Sequence, residues 1–399
     1  MQTRELLIGS RTEGNDFCVP DGVGLNSGHN TPLGFIPAGQ PTMPVDSRLR
    51  SADEKPGIKC LVWDLDDTLW RGTLLKGDDL VVTQGVREAI IELDNRGILQ
   101  SIASKNDHAA AWERLIALGL HEYFVHPQIN WSNKSDSLRA IAERLGIGLD
   151  TVALIDDQPF DRDEVRFHVP EVTTIDAAQI SGLLDLPALQ PRFVTSESKR
   201  RRQLYQADIR RKQDEEEFVG PREEFLATLA MVLTIRVGTE HDLRRAQELT
   251  TRTNQLNTTG RTYSCAELGA LLHSREHLML VADLEDRYGT SGTIGLALVE
   301  LGANSWLLKF LIMSCRVVSR GVGGIMLSHI LQSAKRRGVR LRAEFIANDR
   351  NRMMYVTYKF HGFYEVARQE DFIVLEHALG RIRPFPSYVT VRSESDQGR

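Results

Sequence analysis

Cysteine is scarce in this chain: four in 399 residues, at Cys18, Cys60, Cys265 and Cys315, with no C-x-x-C pair among them. That spacing excludes a zinc knot and offers no disulfide framework. Long apolar runs are missing too. No segment approaches the ~20 residues that cross a bilayer, and the opening MQTRELLIGSRTEGND has neither the basic start nor the apolar stretch of a secretory signal. A membrane role is not expected, and a cytoplasmic location is. An excess of positive charge is absent as well: the formal net charge is −5, which leaves no electrostatic footprint for nucleic acid. Internal repeats and low-complexity tracts are not found. What remains is a globular composition, 41% hydrophobic and 26% charged, in a chain long enough for two domains.

Residues 1–55 mix Gly, Pro, Asn, Thr and Ser without a lasting period and read as a loosely ordered arm. From 56 to 195 short apolar runs alternate with amphipathic stretches. KCLVWDLD, ILQSIAS and TVALIDD read as strands buried on both faces. HAAAWERLIALGL reads as a helix with Trp112, Leu115, Ile116 and Gly119 on one face, and DSLRAIAERLGIG as another with Leu138, Ile141, Ala142 and Leu145. This βαβα alternation predicts a doubly wound parallel α/β sheet. The stretch 196–224, basic and then acidic, reads as a solvated helical connector. From 225 to 390 the strands AMVLTIRV, LMLVADLED, GTIGLALVEL and WLLKFLIMS, with helices over EHDLRRAQELTTRT and GGIMLSHILQSAKRRG, predict a second α/β domain with antiparallel content. Residues 391–399 read as a disordered tail.

Ligands of a doubly wound sheet bind at the carboxyl ends of its strands, so the residues after each apolar run carry the chemistry. CLVWDLDDTLW offers Asp64 and Asp66, two residues apart and therefore expected to face one crevice. The next run ends in Ser104, Lys105 and Asn106, Lys134 opens a helix, and TVALIDD ends in Asp156 and Asp157. Any single Asp at a strand end is explained by capping the next turn. The ordered set D-x-D-x-T, S, K, D-D is not so explained. Carboxylates at two strand ends suit a hard, oxygen-seeking ion such as Mg²⁺, and a hydroxyl and an ammonium suit phosphate oxygens.

The order resembles the four motifs of the haloacid dehalogenase superfamily of aspartate-nucleophile phosphatases. That resemblance implies Asp64 as nucleophile and Asp66 as acid and then base. It implies Mg²⁺ on Asp64, Asp156, the Asp66 backbone carbonyl and Asp157, and phosphate at Ser104 and Lys134 with Asn106 and Thr68 beside them, Thr68 also fixing the turn. Only a few dozen residues separate Asp64 from Ser104 and Ser104 from Lys134, which leaves no room for a large inserted lid.

In the second half, FLIMSCRVVSRGVGGIMLSHIL ends a strand at Cys315 and runs through Arg316, Arg320, Gly321, Gly323 and Gly324 into a helix. A Gly-rich turn before a helix is an anion cradle. With Asn348, Tyr355 and the later HGF it resembles the GNAT acyltransferase fold, in which R-x-x-G-x-G/A holds coenzyme A pyrophosphate. Arg320 and Gly323 match that pattern, and Ile325 departs from it. Arg316, Arg320, Gly321 and Gly323 are accordingly placed at a pantetheine arm. Locally Cys315 is better explained as a small buried hydrophobe, although Arg316, Arg320 and a helix start would each favour its thiolate. TRTNQLN, Thr251 to Asn257, and DLEDRYGTSGTIG, Asp283 to Gly295, read locally as polar turns, with Gly289 and Gly292 as the obvious reasons.

Taken in order, KCLVWDLDDTLWRG, ASKND, INWSNK, IDDQP, TNQLN, DRYGTSG and MSCRVVSRG resemble the FkbH-like family over about residues 55–390. The resemblance implies transfer of a glyceryl unit from 1,3-bisphosphoglycerate to a phosphopantetheinylated acyl carrier protein for polyketide pathways, with loss of phosphate. It implies Cys315 as acyl acceptor, with Cys60 a rival better explained as core, and substrate contacts at Asn254, Gln255 and Asp286. Three positions depart from the pattern: Asp67, Arg71 and Gly323. A stand-alone Mg²⁺-dependent small-molecule phosphatase, and a non-catalytic adaptor for a carrier protein, are the alternatives.

Overall fold

In the computed structural model of the chain, residues 57–191, 194–253 and 255–393 are described. The arm 1–55 and Asn254 therefore lie outside the described residues. The first sheet comprises β1 (Cys60–Trp63), β2 (Leu99–Ser104), β3 (Gln128–Ile129), β4 (Val152–Asp156) and β5 (Thr173–Asp176). All are parallel, in the order β3-β2-β1-β4-β5. The connecting helices are α1 (Gln84–Asn95), α2 (His108–Ala117), α3 (Lys134–Leu145) and α4 (Pro159–His168).

Both faces are covered. Leu61, Trp63 and Ile155 pack with Ile90 and Leu93 of α1 and Leu115 of α2. Cys60, Val62 and Leu154 pack with Leu138 and Ile141 of α3 and Val165 of α4. Alternate residues of one strand thus serve opposite layers, which is why these strands read as continuous apolar runs. The strand order reverses between β1 and β4, so the binding crevice opens at their carboxyl ends.

Helix α2 differs from its expected face. Ala111 and Leu115 are its buried pair, Trp112 is half-buried and Ile116 is 50% exposed. Gly119 faces no core; at φ 67° it takes the left-handed turn that ends the helix.

Between the two sheets lie α5 (Ser196–Lys199), α6 (Arg201–Glu217) and α7 (Arg222–Thr228). The expected solvated connector is instead wedged against both sides. Arg201 donates to Gly97 O of the first sheet's layer and pairs with Glu248 of the second, and Tyr205 Oη donates to Leu145 O. A Cβ on Gly97 would lie 2.5 Å from Ser198 O, so the backbones meet without a side chain between them. Charged residues are buried here because each has a partner on another element, which composition along the chain cannot display.

The second sheet has eight strands in the order β11-β12-β10-β9-β8-β7-β6-β13. They are β6 (Met231–Val237), β7 (His277–Asp286), β8 (Gly289–Leu301), β9 (Ser305–Met313), β10 (Arg340–Ile346), β11 (Phe363–Gln369), β12 (Phe372–His377) and β13 (Val389–Ser393). Only the β9/β10 and β6/β13 pairs are parallel. Helices α8 (Leu243–Arg252) and α9 (Cys265–His273) cover one face, and α10 (Gly323–Arg337) and α11 (Arg352–Phe360) the other. The chain is therefore a doubly wound parallel α/β unit followed by a second, mixed α/β sheet. Residues 391–393, expected in a disordered tail, are strand, paired with β6. DLEDRYGTSGTIG is no broad loop but a hairpin: β7 runs to Asp286, β8 resumes at Gly289, and the two residues pair. Among the described residues no helix is long and apolar enough to cross a membrane.

The hairpin holds Asp286, whose carboxylate accepts from Arg211 Nε at 3.0 Å, Arg320 Nη1 at 3.2 Å and the Tyr288 N–H at 2.9 Å. Its side chain is 0% exposed, so the expected substrate contact at Asp286 is replaced by a structural ion cluster completed by Asp208. Asp286→Ala leaves two buried guanidiniums to share one carboxylate. We expect a loss of about 3–5 kcal/mol, read from urea unfolding, and a smaller loss for Asp286→Asn, which keeps an acceptor oxygen.

His126 lies where α6 meets the first sheet. Burial pushes its imidazole down to about 4, with repulsion from Arg144 and from Lys212 of α6 adding to it. The unfolded chain takes up the proton near pH 6.5 and the folded one does not. This contribution to stability is thus full above pH 6.5 and lost as pH falls toward about 4. His126→Asn, which also tolerates the φ of 52°, should flatten the fall in urea midpoint across that window.

Candidate active site

The first centre forms at the β1/β4 switch point. Asp64 follows β1 directly, its N–H donating to Ile155 O. Lys134 is the first residue of α3 and is 2% exposed. Its ammonium donates to Asp64 Oδ1 and to Ala103 O (2.6 Å), and lies 2.9 Å from Asp156 Oδ2. Burial pushes Asp64 up to about 6; Lys134 and the Ser104 hydroxyl oppose this while Asp156 adds to it. Burial disfavours the Lys134 ammonium, yet Asp64 and Asp156 outweigh it and hold that group above its ordinary range. The structure thus brings together Asp64, Ser104, Lys134, Asp156 and Asp157.

One oxygen each from Asp64, Asp156 and Asp157 lies within 4.8 Å of the others. A single ammonium faces these three carboxylates. Asp156 Oδ2 is sealed from solvent, with Lys134 as its neighbour. Three converging carboxylates, two of them buried and sharing the Lys134 ammonium, are the donor set of a hard divalent cation. The residues fit one.

Other expected members stand one step back. Thr68 Oγ1 donates to Asp157 Oδ1 at 3.3 Å and accepts from the Asp157 N–H at 3.0 Å, so it orients Asp157 and not a phosphate. Asn106 is buried and donates to Asp66 Oδ2 at 3.0 Å. Asp66 Oδ1 accepts from Trp70 Nε1 and the Leu74 N–H. The Asp66 carboxylate is held by its own loop and by Asn106 after β2. Only its backbone carbonyl stays a candidate ligand, and acid–base work requires exchanging one of those hydrogen bonds for a substrate oxygen. Asp67, the first departure from the pattern, has φ 51° and accepts from the Gly72 N–H at 2.8 Å. Its charge is used to close the turn, outside the cluster of metal-ligating oxygens. Arg71 pairs with Val81 through the backbone and is exposed.

The second centre is a cavity of about 80 Å³ between the two sheets, lined by Cys315 with Lys59, Tyr205, Arg252 and Arg316. Cys315 follows β9 and opens a 3-10 turn that runs to Arg320. A route to it was not visible in the local pattern. Strands β9 and β10 pair only over Ser305–Leu308 and Arg340–Ala343, and then diverge. Residues 255–258 fill the gap: Met313 N donates to Leu256 O, Thr258 N to Leu311 O and Ile346 N to Thr258 O. This segment, read locally as a turn, is a wedge hydrogen-bonded to both strands, and it sets the Leu256 N–H beside Cys315. Gln255 is exposed on it.

The thiol's environment corrects the expectation in sign. Burial pushes the Cys315 thiol up; Lys59, its own N–H, Arg316 and the Leu256 N–H offset this only in part. Arg320 does not help, because it is committed to Asp208, Asp286 and Ser291. Nor is the cradle at α10 open. A Cβ on Gly321 would lie 2.5 Å from the Tyr388 hydroxyl, and one on Gly324 equally close to the His361 ring. Of the four residues placed at a pantetheine arm, Arg316 faces the Cys315 cavity, Gly323 has open space around it, and Arg320 and Gly321 serve packing. Cys60 is fully buried in the first sheet, and burial drives its thiol far up. Lys59, Arg252 and Leu256 were missed; no local signal marks them.

The two centres sit at opposite edges of the first sheet. Lys59 precedes β1 and Asp64 follows it, so roughly 16 Å of strand separates them.

No family model matches the chain, and a search of curated proteins returns no match. Among solved structures, the N-terminal part of BF1531 from Bacteroides fragilis, containing a phosphatase domain complexed with Mg, is 33% identical, with a TM-score of 0.28. That match covers 33% of this chain and 40% of that one, so this chain spans well under two thirds of its length. The ribosomal-protein-S18-alanine N-acetyltransferase from Escherichia coli is 17% identical over 36% of this chain and 92% of that one, with a TM-score of 0.30. The GNAT domain of S. lividans PAT is 18% identical over 36% of this chain and 88% of that one, also with a TM-score of 0.30.

Proposed function

We propose that the chain is a bifunctional enzyme that moves a D-glyceryl unit from 1,3-bisphosphoglycerate to an acyl carrier protein and removes its phosphate at a Mg²⁺-dependent centre. The observation that carries this reading is the presence in one chain of two separated centres, a carboxylate–lysine cluster and a cation-lined thiol. An acyl phosphate and a phosphate monoester need different chemistry, and each centre suits one.

At Cys315 the thiolate sulfur attacks the acyl-phosphate carbonyl carbon, the carbon–oxygen bond to phosphate breaks, and inorganic phosphate leaves. Lys59 and the Leu256 N–H favour the charged sulfur before attack. The carrier's pantetheine thiol then displaces Cys315 from the thioester. The remaining phosphate monoester resists a thiol and is passed to the other centre. Mg²⁺ on Asp64, Asp156 and Asp157 would neutralise charge and align a phosphoryl oxygen there. Asp64 attacks phosphorus; Asp66 protonates the departing glyceryl oxygen, and later takes a proton from the water that hydrolyses the aspartyl phosphate. Lys134 and Ser104 hold the phosphoryl oxygens. Because a glyceryl phosphate is far shorter than the strand between the centres, the group travels on the carrier's arm.

Incubation with 1,3-bisphosphoglycerate, Mg²⁺ and a phosphopantetheinylated carrier protein, read by intact mass, tests the proposal. Glyceryl on the carrier is the expected product. Phosphate release without acylation would leave a stand-alone phosphatase, and neither product would leave an adaptor.

A further inference from the structure

Charge in the Cys315 cavity does not balance. Its lining carries five cationic side chains, Lys59, Arg201, Arg245, Arg252 and Arg316, against two carboxylates, Glu197 and Glu248. Glu248 is already taken, paired with Arg201 and Arg245 and accepting from Thr195. Arg316 keeps one long contact, from Nη2 to Ser291 O at 3.4 Å, while its Nη1 is sealed from solvent with no hydrogen-bond partner. Lys59 donates to the Arg252 carbonyl, and both residues line the cavity. Burial and then the neighbouring arginines bring Arg252 down to about 9 and Arg316 down to about 10, with Glu248 opposing the fall at Arg252 and Asp208 at Arg316. Lys59, Arg252 and Arg316 are half-buried, and among the described residues the carboxylates acting on the two arginines, Glu248 on Arg252 and Asp208 on Arg316, are already held by other arginines. An excess of cations partly withdrawn from water is kept at less cost when an anion joins them, so the cavity suits an anion.

We infer that this cavity is a phosphate-ester subsite of its own, in which the Arg316 and Arg252 guanidiniums take the terminal phosphate of a small phosphorylated acyl group whose carbonyl meets Cys315. The inference rests on the proposed function for the role of the thiol, but the subsite itself is carried by the sealed, unpartnered Arg316 Nη1 and by the excess of cations over carboxylates among the described lining residues. Two guanidiniums present planar donor pairs to a dianion, which a lysine would not. The phosphate therefore stays on the acyl group during capture, held away from Asp64.

The test is alkylation of Cys315 in the full-length protein with iodoacetamide in EDTA, read by peptide mass spectrometry. The probes are 3-phospho-D-glycerate and D-glycerate. At ~10 times its dissociation constant, 3-phosphoglycerate should slow alkylation about tenfold, whereas D-glycerate at the same concentration should not. Arg316→Gln and Arg252→Gln, each confirmed folded by its thermal midpoint, should weaken protection by about tenfold or more, while Asp64→Asn keeps it. Equal protection by D-glycerate, or protection lost in Asp64→Asn yet kept in both arginine variants, would overturn the subsite. Its failure is distinct from that of the acyl-transfer reading. If 1,3-bisphosphoglycerate leaves no acyl group on Cys315 but 3-phosphoglycerate still protects through both arginines, the acyl step falls and the subsite stands. Acylation of Arg316→Gln and Arg252→Gln with unchanged rate and KM would sink the subsite alone.

Discussion

Asp64→Asn should abolish hydrolysis of the phosphate monoester, by on the order of 10³-fold or more, because an amide oxygen cannot replace the carboxylate that attacks phosphorus. The substitution is close to isosteric, so folding should survive. It should even gain slightly when metal is withheld: burial and the Asp156 charge both work against ionised Asp64, and an amide ends that repulsion while Lys134 keeps Asp156. A thermal midpoint equal to or above that of the parent protein, with lost phosphatase turnover, is the expected pair of results. With a carrier protein present, the divided-centre arrangement adds a sharper outcome. Asp64→Asn should still load the carrier, but with phosphoglyceryl in place of glyceryl, which intact mass separates directly. Complete loss of loading would mean that the two centres are not independent.

Cys315→Ala is the complementary variant. It should remove every enzyme-bound acyl group formed from 1,3-bisphosphoglycerate and leave Asp64-dependent hydrolysis of simple phosphate esters intact. Cys315→Ser should behave the same way on the time scale of turnover, since a serine hydroxyl here has no adjacent base to activate it. Cys60→Ala is the control. With its side chain fully buried in the first sheet, it should lower stability without touching the adduct. An undiminished adduct in Cys315→Ala would overturn the assignment of the acyl acceptor. An adduct lost only in Cys60→Ala would move it to the other thiol.

How far the chain could be read depends on where each contact partner lies. Strand identities were legible because residues buried on both faces leave a continuous apolar run, and this signal needs no partner. The residues of the phosphoryl centre were legible for a related reason. A parallel sheet delivers its strand ends to one edge, so Asp64, Ser104 and Asp156 converge once the strands are recognised, and Lys134 follows as the opening residue of the next helix. The face of α2 was misread at Ile116, where periodicity alone cannot tell a sheet-facing position from one a turn's fraction away. Thr68, Asn106 and Asp66 were placed at the right edge of the sheet but with the wrong hydrogen-bond partners, since a side chain beside a site can be turned to serve its neighbour.

By itself the sequence determined two α/β units, a carboxylate cluster at the β1/β4 edge with a lysine against it, and a cysteine at the end of a strand. Only the tertiary structure decided what surrounds that cysteine. Lys59, Arg201 of α6, Arg252 with the 255–258 wedge after it, and Arg316 come from segments far apart along the chain, and their charges have meaning only when the fold forces them to share one cavity. The same structure decided that Asp286 and Arg320 answer each other: a buried ion cluster is a property of which charges meet, and local sequence carries no record of the meeting.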